Sequence, residues 1–210
     1  MMYFKTLPKI NMTDYKGSVL LMTNLMSRVE VIQSLLNDPL LFYSYDIQEG
    51  DTPEIVADKY YGDSYRYWLV MFSNQLFDPQ WDWPLTYRQF GDYLFAKYKT
   101  NENQSYAEVI ATVQQTVKEY RQVTTTVDSD TLEQTVKTIV IDGTTYAAGV
   151  NNTSTQIFPS GSSVTQTVEY QSIGIYDYEL EQNEAKRNIN LINVKYASQV
   201  EAQLQTLMGT

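Results

Sequence analysis

The stretch from Thr52 to Gly62 constrains this chain most, because it writes out both ends of one helix. Thr52 offers an N-cap hydroxyl, and Pro53 occupies the first helical position, where a missing N–H is not needed. Gly62 supplies the left-handed residue that stops the helix. Ile55, Val56 and Tyr60 form its expected buried stripe. Ahead of it, Tyr45-Asp46-Ile47 alternates polar and apolar and turns at Glu49-Gly50, as a short strand does. Behind it, Asp63 or Ser64 caps a second helix. Its apolar face runs Tyr65, Trp68, Leu69 and Phe72, with Asn74 at the end. Asp78-Pro79 and Trp83-Pro84 are rigid turns. Thr86 and Gln89 make a capping box for a third helix through about Tyr98. Residues 45–99 therefore read as one folding unit, the most sharply punctuated part of the chain.

The remaining segments are 1–44, 100–172 and 173–210. In the first, an arm precedes an apolar stretch. Leu21, Leu25, Val29, Ile32 and Leu36 have a helical period, while Val19 to Met22 and Val29 with Val31 read equally as short strands. Pro39 ends whichever forms. Arg28 and Glu30 interrupt the stretch, so it suits a core or an interface rather than a membrane span. Residues 100–172 are rich in Thr, Val, Gln and Ser. Val117–Val127, Val136–Ile141 and Val164–Tyr170 read as strands, with Ser105–Thr112 as a short helix. Asp142-Gly143 reads as a hairpin turn and 149–163 as a loop. In 173–210, Leu180, Ala185, Ile189, Ile192, Tyr196, Val200, Leu204 and Leu207 step at helical spacing. One amphipathic helix of about 31 residues would be about 45 Å long. That exceeds what a small core covers, so part of it is expected to pack on another chain. Truncation after Gly174 should then leave the 45–99 unit folded. The expected class is α+β: a βαα domain, a small antiparallel subdomain of β-hairpins, and a long C-terminal helix.

Composition narrows the chemistry. The 210 residues include no His and no Cys, which removes disulfides, thiolate and Ser-His-Asp catalysis, and the commonest transition-metal ligands. A net charge of −10 argues against nucleic acid or an anionic membrane as partner. Residues 1–100 hold 20 of the 28 aromatic side chains. Tyr-rich faces suit surfaces that become buried when a partner arrives. Glu54 and Asp58 lie four apart on a helix, the pattern of a solvated face more than of a glycosidase pair. Asp128 and Asp130 lack the Gly and downstream Glu of a calcium loop and fit a hairpin turn. No catalytic group, metal or cofactor is expected. The N-terminal MMYFKTLPKINMTD lacks the apolar region of a signal peptide.

Residues Tyr45 to Asn74 resemble a LysM module at Tyr45, Ile47, Gly50-Asp51-Thr52, Ile55, Ala57, Tyr61-Gly62, Trp68 and Asn74. That resemblance implies a βααβ fold, in which many members bind N-acetylglucosamine polymers. After Asn74 the chain departs from the pattern, reading QLFDPQWDWPLTYRQF where a second strand would follow. A wider likeness covers residues 11–99 and 176–208. It is carried by Asn11 to Asp14, Thr23 to Arg28, Gly50 to Glu54, Tyr61-Gly62, Tyr67-Trp68, Asp78-Pro79 through Trp83, and Glu181 to Arg187. Their order is similar to baseplate wedge subunit 53 of contractile-tailed phages.

This resemblance implies a structural virion protein of the tail baseplate, assembled in the host cytoplasm. Its LysM-like domain would serve protein contacts, joining wedge subunits to neighbouring wedges or to the central hub. Peptidoglycan binding is the alternative. The expected contact residues are Asp51, Phe77, Trp81 and Trp83 on the loops flanking the LysM groove. Trp81 and Trp83 suit either a folded-back cap or an exposed contact. Lys186 and Arg187 form a helix-face charge pair or meet an acidic groove. The row Ile189, Ile192, Tyr196, Val200 and Leu204 is expected to dock on another subunit.

Overall fold

The computed structural model describes residues 7–24 and 40–207. In chain order these form β1 (Lys9–Thr13), β2 (Val19–Thr23), β3 (Phe42–Asp46), α1 (Pro53–Tyr61), a 3-10 turn (Ser64–Arg66) and α2 (Tyr67–Ser73). Then follow α3 (Tyr87–Tyr98), α4 (Tyr106–Gln115), β4 (Val117–Asp128), β5 (Gln134–Ile141), α5 (Gly143–Ala148) and β6 (Asn152–Ile157). The chain ends with β7 (Ser163–Gly174), α6 (Ile175–Glu184), β8 (Asn188–Ile192) and α7 (Val194–Leu207). The class is α+β. Two compact units result: one from the residues up to Thr86 together with those from Asn183 onward, the other from Tyr87–Gln182. Of the apolar period, Leu25, Val29, Ile32 and Leu36 lie outside the described residues, as does Pro39.

The first unit is built around the capped helix. Thr52 accepts the Ile55 N–H, Pro53 starts α1, and Gly62 ends it at φ +68°. Val56, Ala57 and Tyr61 face the core, whereas Ile55, expected inside, is exposed and Tyr60 packs at the margin. Asp63 caps the 3-10 turn rather than an α-helix. That extra tight turn rotates the following helix, so α2 buries Trp68, Leu69 and Val70 and leaves Tyr65 outside. Ahead of these elements β1 and β2 form a hairpin, with every strand residue exposed.

The strand partner of β3 is β8. The two run antiparallel from Phe42↔Ile192 to Asp46↔Asn188. This overturns the expected single C-terminal helix. Asn188-Ile189-Asn190-Leu191 alternates polar and apolar, with Ile189 and Leu191 buried, and that period of two wins over the looser helical spacing. α7 is 14 residues long, about 21 Å, an ordinary length for a small core. Ile189, Leu191, Ile192, Ala197 and Leu204 join Val56, Trp68 and Leu69 in one apolar cluster. Side chains lock the strand in place. The Tyr61 hydroxyl donates to the Ile192 carbonyl at 3.0 Å. The Asn74 amide pairs with Asn190 in both directions, at 2.7 and 2.9 Å. Arg66 pairs with Glu201 of α7. Truncation after Gly174 therefore removes core residues and does not spare the unit.

In the second unit β4 is central, in a sheet ordered β5-β4-β7-β6. Phe90 and Leu94 of α3 and Val109 and Val113 of α4 are its buried apolar side chains. Glu179 of α6 accepts from Tyr93, Lys97 and Tyr98 of α3, a polar tie between the two helices. Asp142 does not form the expected hairpin turn. It caps α5, accepting the Thr145 N–H and the Thr144 and Thr145 hydroxyls. The expected loop 149–163 contains β6. Its Asn, Thr and Ser residues read as loop formers, but Thr153 and Thr155 meet Thr167 and Thr165 across the sheet at 3.3 and 3.2 Å.

All three Trp residues lie in the first unit, so their fluorescence reports its unfolding alone. We predict that Leu191→Ala, at a fully buried strand position, lowers its stability by about 2–5 kcal/mol in urea titration. An unchanged midpoint would contradict the placement of β8 in the core.

Candidate functional site

Residues 75–85 follow α2 and hold the aromatic side chains singled out in the sequence. Gln75 turns the chain out of the helix with φ +54°, and the Leu76 N–H bonds the Met71 carbonyl. Asp82 then curls the loop onto itself: its carboxylate accepts the Phe77 and Asp78 N–H groups, both at 3.0 Å. The Asp78 N–H, the Phe77 N–H and the nearby Lys186 ammonium hold the Asp82 carboxyl below the usual carboxylate range.

Four hydrogen bonds pin this loop to the rest of its unit. Trp83 donates from Nε1 to the Asp51 carbonyl at 2.8 Å. Lys186 Nζ donates to the Trp81 carbonyl at 2.5 Å. Asn183 makes a two-way amide pair with the Leu85 backbone, at 2.7 and 3.0 Å. Trp83 is only 6% exposed, whereas Phe77 is 61% and Trp81 60% exposed. Trp83 is thus the folded-back cap, and its two neighbours are the outward side chains.

Asp51 is the second anchor. Its buried carboxylate accepts from Tyr45 Oη at 2.9 Å, Lys59 Nζ at 2.7 Å and the Gln48 N–H at 3.2 Å. Burial opposes its ionisation, but the bonds from Lys59, Tyr45 and Gln48 win and lower its pKa below the ordinary 3.8. Burial and the Asp51 carboxylate push the Tyr45 hydroxyl up to about 12. Asp51 is therefore an internal strut for the loop between β3 and α1.

The other expected contact residues take different positions. Lys186 and Arg187 lie in the turn between α6 and β8, not on a helix face. Arg187 is an internal clamp, donating to Glu184, Glu49 and the Ile47 carbonyl. Ile189, Ile192 and Leu204 are in the unit's own core, and Val200 packs against it. Tyr196 alone of that row is exposed. The row mixes strand and helix residues, so it forms no continuous outer face. Glu179 reads from the sequence only as an acid favoured at a helix start, and Asn183 only as part of the Glu181 to Arg187 likeness; their distant partners, like those of Asn190, leave no local sign. Among the described residues no group of His, Cys, Asp or Glu could hold a metal ion. Glu54 and Asp58 are exposed on α1, and Asp128 caps its own turn by accepting the Asp130 and Thr131 N–H groups.

The first unit thus spends its buried polar groups on tying distant segments together and holds two aromatic side chains out from a braced loop. The chain belongs to the base plate wedge protein 53 family, whose profile matches residues 9–209. It is accordingly a phage baseplate protein with a structural role. No curated protein matches the chain.

We predict that Trp83→Ala costs the first unit about 3–5 kcal/mol, while Trp81→Ala stays within about 0.5 kcal/mol, both read by urea unfolding. Equal effects would contradict the division between cap and outward residue. Asp51 supplies a pH test. A carboxyl with a depressed folded pKa stabilises above its unfolded value and loses that contribution as pH falls through the folded value. The gap in melting temperature between the native chain and Asp51→Asn should therefore narrow as pH drops below about 4. A gap independent of pH would show that the charge of Asp51 is not what braces the loop.

Proposed function

We propose that this chain is a wedge subunit of a contractile-tail baseplate, joining other wedge proteins to neighbouring wedges or to the hub. In this reading the first unit is a LysM-like domain used for protein contacts. Its strand–helix–helix–strand order supports the likeness, with β8 taking the place of the strand missing after Asn74. The observation that carries the reading is the braced loop with Phe77 and Trp81 exposed. Large aromatic groups held rigidly lose little conformational freedom on binding and are typical anchors of protein interfaces. Residues 40–86 hold eight acidic side chains against two basic ones, which favours a partner surface bearing Arg or Lys. The same balance disfavours nucleic acid or an anionic membrane. Among the described residues no helix is long and apolar enough to cross a membrane.

The glycan alternative needs an open groove between Glu49–Thr52 and Gln75–Trp83. Trp83 spans those two loops with its ring buried and its N–H on the Asp51 carbonyl. The geometry thus favours a protein ligand.

The test is the double variant Phe77→Ala/Trp81→Ala. It should keep the melting temperature of the parent and weaken co-assembly with purified wedge proteins tenfold or more. Calorimetry of the parent with peptidoglycan fragments at about millimolar concentration should give no heat. Undiminished co-assembly would contradict the reading. Glycan affinity that vanishes in the double variant would move peptidoglycan binding into its place.

A further inference from the structure

The four-stranded sheet of the second unit has two edges, and they are built differently. At one edge, β5 carries Lys137 at its centre, opposite Thr124. A charged side chain in that position is a common guard against another strand docking alongside. At the other edge, β6 reads Asn-Thr-Ser-Thr-Gln-Ile, without charge or proline. The whole stretch Gly143–Val168, 26 residues, contains no Asp, Glu, Lys or Arg in a chain that is 19% charged. No bulge bends this edge away either. β6 pairs with β7 in continuous register from Asn152↔Val168 to Ile157↔Ser163, whereas the β4–β7 ladder shifts between Val117 and Glu119. All six β6 residues are exposed, and among the described residues no further strand pairs with β6. Alternate residues of such an edge point N–H and C=O groups outward with no ladder partner.

We infer that the outer edge of β6 accepts an extended segment of another baseplate protein as a fifth strand of the sheet. Backbone bonds would supply the affinity, and side chains of alternate residues the register. The neighbours awaiting that strand define its chemistry. One face continues the Thr rows Thr125–Thr167–Thr153 and Thr165–Thr155, and the other offers Asn152, Ser154 and Gln156. An uncharged strand rich in Thr, Val or Ser fits both faces. The partner is another protein rather than a second copy, because two chains of net −10 repel one another on approach. This surface goes beyond the proposed joining role and does not depend on the Phe77–Trp81 loop.

Hydrogen exchange of the intact chain, free and within assembled baseplates, tests the inference. Amides of Asn152–Ile157 should exchange at least tenfold more slowly in the baseplate, while those along β5 stay unchanged. Thr155→Lys should abolish that slowing, and Val140→Lys on the guarded edge should not. Equal exchange of β6 in free and assembled chains would overturn the inference. So would slowing that appears in the free chain as its concentration rises, which would mean that copies pair with each other. Failure here leaves the effect of Phe77→Ala/Trp81→Ala on co-assembly untouched, so the two ideas fall separately.

Discussion

The pairing of β3 with β8 is the constraint on which the first unit depends. It joins residues near position 44 to residues near position 190, and it brings Leu191 and Ile192 onto α1 and α2. Neither strand has another strand partner among the described residues. A two-stranded ribbon is marginal alone, so its stability comes from the helices packed on it. Long loop closure is tolerable because its entropic cost grows only logarithmically with length. Here the chain leaves and re-enters the unit at one point, since Leu85 and Asn183 are bonded to each other. That geometry lets a whole second unit be carried between Tyr87 and Gln182 without strain on the first.

Polar groups hold what the small core cannot. Asn74, Asn183 and Arg187 each join segments remote in sequence through more than one bond, while Asp51 ties Tyr45 and Lys59 across the loop between β3 and α1. Several of these bonds accept or donate at backbone groups, which a loop or a short strand otherwise leaves unpaired. The brace extends to residues 75–85, where it leaves Phe77 and Trp81 outside. Burial of Trp83 and exposure of Trp81, two positions apart, are parts of one arrangement: the first ring anchors the loop that presents the second.

Local chemistry was legible in the sequence and long-range pairing was not. Thr52, Pro53 and Gly62 announce α1 because caps act within one turn of the chain. Ser105 announces α4 for the same reason, with Glu108 completing a capping box. Asp142-Gly143 misled, because an Asp can cap a helix as readily as it can start a turn. The C-terminal segment misled more seriously. Ile189 and Ile192 satisfy a helical spacing, and the short alternation Asn188-Ile189-Asn190-Leu191 that competes with it gains its weight from pairing with β3. Of the expected contact residues, burial separates Phe77 and Trp81 from Trp83, Ile189, Ile192 and Leu204, and no local pattern encodes burial of that kind.

In the proposed role, the first unit of this baseplate protein presents its braced aromatic loop to another subunit. Electron cryomicroscopy of an assembled baseplate containing this chain measures that most directly. Phe77 and Trp81 should be covered by a neighbouring subunit, with basic side chains close to Asp78, and β8 should still pair with β3. A loop facing solvent in the finished baseplate would contradict it.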